Sequence, residues 1–80
     1  METLELVLET IEKITGIEKA ELKEDIDINL LENGILDSLS IVSLLAEISE
    51  RTGRRITVKQ MKISDFATVT SIAQAIDNIQ

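Results

Sequence analysis

The 80-residue chain has no cysteine and no histidine. Without cysteine no disulfide can staple the fold, and thiols give no reading of the redox compartment. Without histidine, Ser-His-Asp and Cys-His nucleophilic systems are excluded, and the commonest zinc ligand is gone. A self-contained acyl-transfer enzyme is therefore a poor fit. Aromatic residues are down to Phe66 alone, and the net charge is −7. Nucleic acid is not an expected partner, because its recognition calls for a basic groove and stacking platforms. Long hydrophobic runs are missing as well. The start, Met1-Glu2-Thr3, is not basic, and the apolar residues after it alternate with glutamates. Neither an export signal nor membrane insertion is expected, which makes the cytoplasm the default compartment.

What is present suits one folded domain, residues 1–80, near the lower end of what folds unaided. Hydrophobic residues make up 44% of the chain, too many for a disordered segment. The charge is unevenly spread. Residues 1–50 hold thirteen acids against Lys13, Lys19 and Lys23, a balance of −10, whereas residues 51–80 hold Asp65 and Asp77 against Arg51, Arg54, Arg55, Lys59 and Lys62, a balance of +3. The acidic half favours partners with basic docking surfaces, or simply keeps a small protein in solution. The basic cluster is either a recognition patch for an acidic partner or an internal balance for those acids, the latter being preferred.

Leu4, Val7, Leu8, Ile11 and Ile14 recur at helical spacing, with Glu5, Glu9 and Glu12 turned outward. Thr3 is the expected N-cap and Gly16 the expected stop, and Glu9 with Lys13 makes an i,i+4 pair. Residues 17–37 carry Ile17, Leu22, Ile26, Ile28, Leu30, Leu31, Ile35 and Leu36 without a sustained period. So many large apolar side chains cannot all face water, so this long loop is expected to pack across the helices, with a turn of helix at 20–24. Asp25, Asp27 and Asn29 match the start of a calcium loop, but Leu30 stands where glycine is required and Leu36 where a bidentate glutamate belongs. They read as solvated turn residues, and no metal site is expected.

A second long helix is expected over 38–52, closed by Gly53. Ile41, Leu44, Leu45 and Ile48 form a core stripe. Leu39, Val42 and Ala46 form another beside it, which has two readings: a docking surface for partners, or a strip lying beneath the 17–37 loop. Further on, Thr57 or Ser64 can cap a short helix supplied with Met61, Ile63 and Phe66. Val69, Ile72, Ala73, Ile76 and Ile79 then mark a final amphipathic helix with Thr68 as N-cap. The fold class is all-α: a small four-helix bundle, three main helices and one short, with a long loop between the first two main helices.

The stretch Gly34-Ile35-Leu36-Asp37-Ser38-Leu39-Ser40, ahead of an apolar helix, resembles the attachment site of acyl and peptidyl carrier proteins. Phe66-Ala67-Thr68-Val69-Thr70-Ser71-Ile72-Ala73 is similar to that family's lead into its last helix, and the resemblance spans the chain as one carrier domain. It implies that Ser38 carries 4'-phosphopantetheine donated from coenzyme A, whose thiol holds an acyl or aminoacyl group as a thioester. It implies that Asp37 meets the phosphopantetheinyl transferase or its metal, and that Leu39, Val42, Ala46 and Glu47 meet partner enzymes. The implied partners are that transferase, an acyl- or aminoacyl-loading (adenylating) ligase, and downstream synthases or transferases of lipid, polyketide or peptide biosynthesis, with a monomer as the expected state. On residue chemistry, Ser38 has no base beside it and needs none, since a separate enzyme does the transfer. A helix N-terminus suits the phosphodiester that results.

The chain departs from the fatty-acid pattern Gly-Ala-Asp-Ser-Leu-Asp by one more residue between glycine and aspartate and by Ser40 in place of the acid. Ser43, Ser49 and Arg51 also stand where acids are usual. Gly-Ile-Leu-Asp-Ser looks more like carriers of amino acids, D-alanyl carriers among them, or specialised acyl carriers. D-alanyl carriers often have a bulkier residue or methionine after the serine and an aromatic tail, neither of which is found here, so the cargo stays open. The alternative function is a small helical interaction domain with no prosthetic group. Covalent modification of Ser38 separates the two.

Overall fold

A computed structural model describes residues 2–79 as an all-helical bundle. Its α-helices are α1 (Glu2–Thr15), α2 (Lys19–Glu24), α3 (Ser38–Thr52) and α4 (Val69–Asn78). Two 3₁₀ turns, Val58–Gln60 and Ile63–Phe66, lie between α3 and α4. The core is one aliphatic cluster to which every α-helix contributes, with Phe66 as its aromatic member. Val7, Leu8 and Ile11 of α1, Ile41, Leu44, Leu45 and Ile48 of α3, and Val69, Ile72, Ala73 and Ile76 of α4 are its main contributors.

α1 starts at Glu2, ahead of its apolar stripe, so Thr3 lies inside the helix and does not cap it. Its hydroxyl donates instead to Asp77 Oδ1 of α4 at 2.6 Å. Gly16 ends α1 as expected, at φ 81° with its N–H donating to the Glu12 carbonyl. The Glu9–Lys13 pair does not form, because α3 brings closer partners: Lys13 pairs with Glu47, and Glu9 with Arg51 at 3.2 Å. These two links cross in opposite chain order, which makes α1 and α3 antiparallel. Thr10, buried in α1, satisfies its hydroxyl by donating to the Leu6 carbonyl at 2.7 Å. α2 is tied to α1 by Lys23 and Lys19, both on Glu5, at 2.8 and 3.2 Å. The Lys23 and then Lys19 ammonium groups hold the Glu5 carboxyl below its ordinary range.

The 17–37 stretch is part of the core. Leu22, Leu30 and Leu36 are buried, and Ile17, Ile26, Ile28, Leu31 and Ile35 pack against the cluster. Asn29 organises the turn after α2: its side-chain oxygen accepts from the N–H groups of Leu31 and Glu32 at 3.0 and 2.8 Å. Leu30 then acts as an anchor. Its N–H donates to the Ala67 carbonyl at 2.7 Å, and its own carbonyl accepts from Ile35 and Leu36. Gly34 closes this turn at φ 70°, a left-handed conformation in which a side chain is strained. Asp25 and Asp27 are exposed.

After Gly53 the chain returns along α3. Ser49 clips it there, donating from Oγ to the Ile56 carbonyl at 3.1 Å and accepting from the Ile56 N–H at 3.0 Å. Arg54 reaches the end of α4 and donates to the carbonyls of Ile76, at 3.3 Å, and Ile79. The expected short helix is realised as the two 3₁₀ turns. In each, a side-chain acceptor three residues on takes up the N–H at its entrance: Gln60 Oε1 accepts from Thr57 at 2.7 Å and Asp65 Oδ2 from Lys62 at 2.8 Å. Ser64 therefore lies within the second turn and does not cap it. Phe66 is buried and Met61 half-buried, but Ile63 is 69% exposed and contributes no core contact of the expected kind. α4 begins with a reciprocal cap, Thr68 Oγ1 accepting from the Ser71 N–H and Ser71 Oγ from the Thr68 N–H, both at 3.0 Å.

Candidate functional site

The start of α3 is built by the anchored stretch before it. Leu36 is buried and held to the Leu30 carbonyl, so the chain emerges from the core directly into Asp37. Asp37 is extended, with φ −130° and ψ −174°, and is the N-cap of α3. Its Oδ1 accepts from the Ser40 N–H at 2.9 Å, and its carbonyl accepts from the Ile41 N–H, the first bond of the helix. The backbone and side-chain hydrogen bonds from Ser40, with smaller help from the Leu39 N–H, hold the Asp37 carboxyl below its ordinary range. Asp37, then, does the capping that serine could have done. Ser38 is the first residue of the helix, it is exposed, and its hydroxyl makes no hydrogen bond among the described residues.

Beside Ser38 runs a groove of about 330 Å³. Its floor is Ile41 and Phe66, both buried, and its walls are Val42, Val58, Met61 and Ile63. The groove lies between the first turns of α3 and the two 3₁₀ turns. Its far wall escaped the sequence reading because residues 56–66 have no single period. The available signal was the set of apolar residues, Ile56, Val58, Met61 and Ile63, spaced among cations.

Leu39, Val42 and Ala46 do not lie beneath the 17–37 stretch. All are exposed, Leu39 at 80% and Val42 at 59%. Spaced at i, i+3 and i+7, they share one face of α3, and that face adjoins the groove through Val42. Glu47, next to Ala46 and half-buried, pairs with Lys13 of α1.

These features fit a phosphopantetheine chain. A free, exposed hydroxyl is available to a phosphate, a helix N-terminus suits its charge, and an apolar trough stands beside them for an uncharged remainder. Comparison with known proteins agrees. Residues 5–76 match the family described as "Phosphopantetheine attachment site". The chain belongs to this family. It is 33% identical over 76 residues, covering 95% of this chain and 94% of theirs, to proteins named "D-alanyl carrier protein" from Bacillus cereus strains B4264 and AH187 and from Bacillus anthracis strain CDC 684 / NRRL 3495. The protein is thus a carrier that presents an acyl or aminoacyl group on covalently attached 4'-phosphopantetheine, and an interaction domain without a prosthetic group is not favoured. Among the described residues, no helix is long and apolar enough to cross a membrane.

Proposed function

We propose that Ser38 is the attachment point and that residues 1–80 work as one non-catalytic, monomeric carrier unit in the cytoplasm. The observation that carries this is the separation of duties at the start of α3: Asp37 caps the helix, leaving the Ser38 hydroxyl exposed and unengaged. The attached group supplies a thiol that holds the cargo as a thioester. The chain's own part is to present Ser38 at a fixed helix end, to hold the phosphodiester near free backbone N–H groups, and to flank it with the Val42–Val58 trough. Asp37, exposed beside Ser38, is the group that meets the transferase or its metal.

The cargo we propose is an aminoacyl group, supported by the similarity to D-alanyl carriers over nearly the full length of both chains. An adenylating ligase then loads the carrier, a downstream transferase unloads it, and both dock on the exposed face formed by Leu39, Val42 and Ala46. Intact-protein mass spectrometry after incubation with coenzyme A, magnesium and a broad-specificity phosphopantetheinyl transferase tests the assignment. The expected result is a gain of one phosphopantetheine, lost completely in Ser38→Ala. Because Ser38 is not the cap, that variant should keep its stability to within about 0.5 kcal/mol, the usual range for an exposed substitution. Modification persisting in Ser38→Ala would move the attachment elsewhere.

A further inference from the structure

The chain has eight cationic side chains, and five are engaged within the fold. Lys13 is held by Glu47, Lys19 by Glu5 and Glu9, Lys23 by Glu5, and Arg51 by Glu9. Arg54 is spent on the last carbonyls of α4. Of the basic cluster, only Arg51 balances an acid of residues 1–50, and Arg54 is taken up by backbone carbonyls. Arg55, Lys59 and Lys62 are exposed and make no ion pair among the described residues, in a protein whose net charge is −7.

Their position is what gives them a use. Val58, 48% exposed, is a common wall of three depressions. One is the Ser38 groove. The second, of about 260 Å³, runs along α3 between Val42, Leu45 and Ala46 on one side and Ile56 and Thr57 on the other. The third lies between Arg55, Lys59 and Gln60. Lys62 follows next in the same segment, between the groove residues Met61 and Ile63. An apolar strip therefore runs from Ser38 along α3 to Ala46; Arg55 and Lys59 line the depression that shares Val58 with it, and exposed Lys62 stands in sequence between two groove residues.

We propose that this strip and its rim, Arg55, Lys59 and Lys62, form a docking surface for a protein partner that presents an apolar side chain flanked by carboxylates. The surface rests on the reading of Ser38 as attachment point, since a partner seated there lies against the loaded site. Three exposed cations contribute mainly encounter rate and partner choice, and the apolar strip supplies the contact that keeps the partner seated. An anionic membrane is the less suitable occupant. Beyond the local patch it meets a molecule of charge −7, and repulsion extends over the roughly 8–10 Å of the Debye length at ordinary salt.

The test uses the full chain and three probes: a synthetic amphipathic helix with leucines flanked by glutamates, its counterpart with lysines for the glutamates, and vesicles of phosphatidylglycerol. Amide shift mapping with the acidic peptide should pick out Val42, Ala46, Ile56, Val58 and Lys59. Reversing Arg55, Lys59 and Lys62 to glutamate should weaken binding at least about tenfold and invert its salt dependence, since added salt then screens a repulsion. Replacing the same three by glutamine should give an intermediate loss, with thermal unfolding run on both variants to show that they fold. No binding of the acidic peptide, equal binding of the lysine counterpart, or binding unaffected by reversal would overturn the proposal. Vesicle binding lost on reversal, without acidic-peptide binding, would overturn it in favour of a membrane contact. Transferase modification is measured on the same samples. Unmodified wild type with intact peptide binding would sink the reading of Ser38 and leave the docking surface standing, whereas modified protein without peptide binding does the reverse.

Discussion

At the residue scale, the site depends on which of two adjacent side chains caps α3. Aspartate and serine are about equally good N-caps, so either could have taken the role. Leu36 is pinned in the core by the Leu30 carbonyl, and this sets Asp37, not Ser38, at the extended position from which a side chain reaches the Ser40 N–H. The consequence is pH-dependent. The ionised Asp37 carboxyl is favoured in the fold, so its acidity is increased relative to an unfolded chain, where it titrates near 3.8. A carboxyl shifted in this direction contributes stability that is complete above the unfolded value and is lost as pH falls through the folded one. Asp37→Ala should therefore unfold at a lower temperature than the native protein at neutral pH, and the gap should shrink as the solution is acidified past the ordinary carboxylate range. Asp37→Asn, an equally good neutral cap, should restore much of the stability without that pH dependence. Thermal unfolding of the three proteins across this range checks the assignment. A gap that stays constant with pH would mean that the carboxylate charge has no part in the cap.

At the scale of elements, α3 carries two faces with different obligations. Ile41, Leu44, Leu45 and Ile48 are committed to the core, while Leu39, Val42 and Ala46 are left in water. Exposing Leu39 by 80% is unfavourable for a lone protein, and the proposed partner contact would recover it. Leu39→Glu should slow ligase-catalysed loading, read as a higher KM for the carrier, while stability stays within about 0.5 kcal/mol. A cooperative loss of fold would instead mean that Leu39 serves the core. The boundaries of α3, the start of α4 and the core stripe of each were readable from the sequence, since a 3.6-residue period and terminal Thr68 and Gly53 are local signals, whereas Ile79, counted with α4, lies just past its end. The side on which the second stripe lies was not, because nothing local says where the 17–37 loop crosses. The cap at Thr3 failed because α1 already begins at Glu2, which leaves Thr3 inside the helix, where its hydroxyl donates to the distant Asp77. The two 3₁₀ turns were blurred into one short helix because their stabilising acceptors, Gln60 and Asp65, are polar residues with no period to betray them.

For the molecule as a whole, the long connection is structural material. An 80-residue chain has little core to spare, and the buried Leu22, Leu30 and Leu36 of this stretch supply a share that three helices alone would lack. Leu30→Ala is expected to cost about 2–5 kcal/mol, a large part of the stability of a domain this small. Urea unfolding measures it. Such a loss would also reach the site, because the Leu30 backbone ties the approach to Ser38 to Ala67, at the end of the turn that holds Phe66. A cost below about 1 kcal/mol would mean that the cavity collapses readily and the loop is not an anchor.

That Phe66 lies under the Ser38 groove has a practical consequence. With no tryptophan or tyrosine in the chain, its ring is the one aromatic chromophore and the one source of side-chain ring-current shifts. The methyl groups of Ile41, Val42 and Met61 line the groove with it, so their proton resonances form a compact spectroscopic window on that space. A cargo chain that folds back into the trough would disturb these signals together, and one that stays in water would leave them alone. The molecule carries its own reporter, with no background and no label, at the place where the two cases differ.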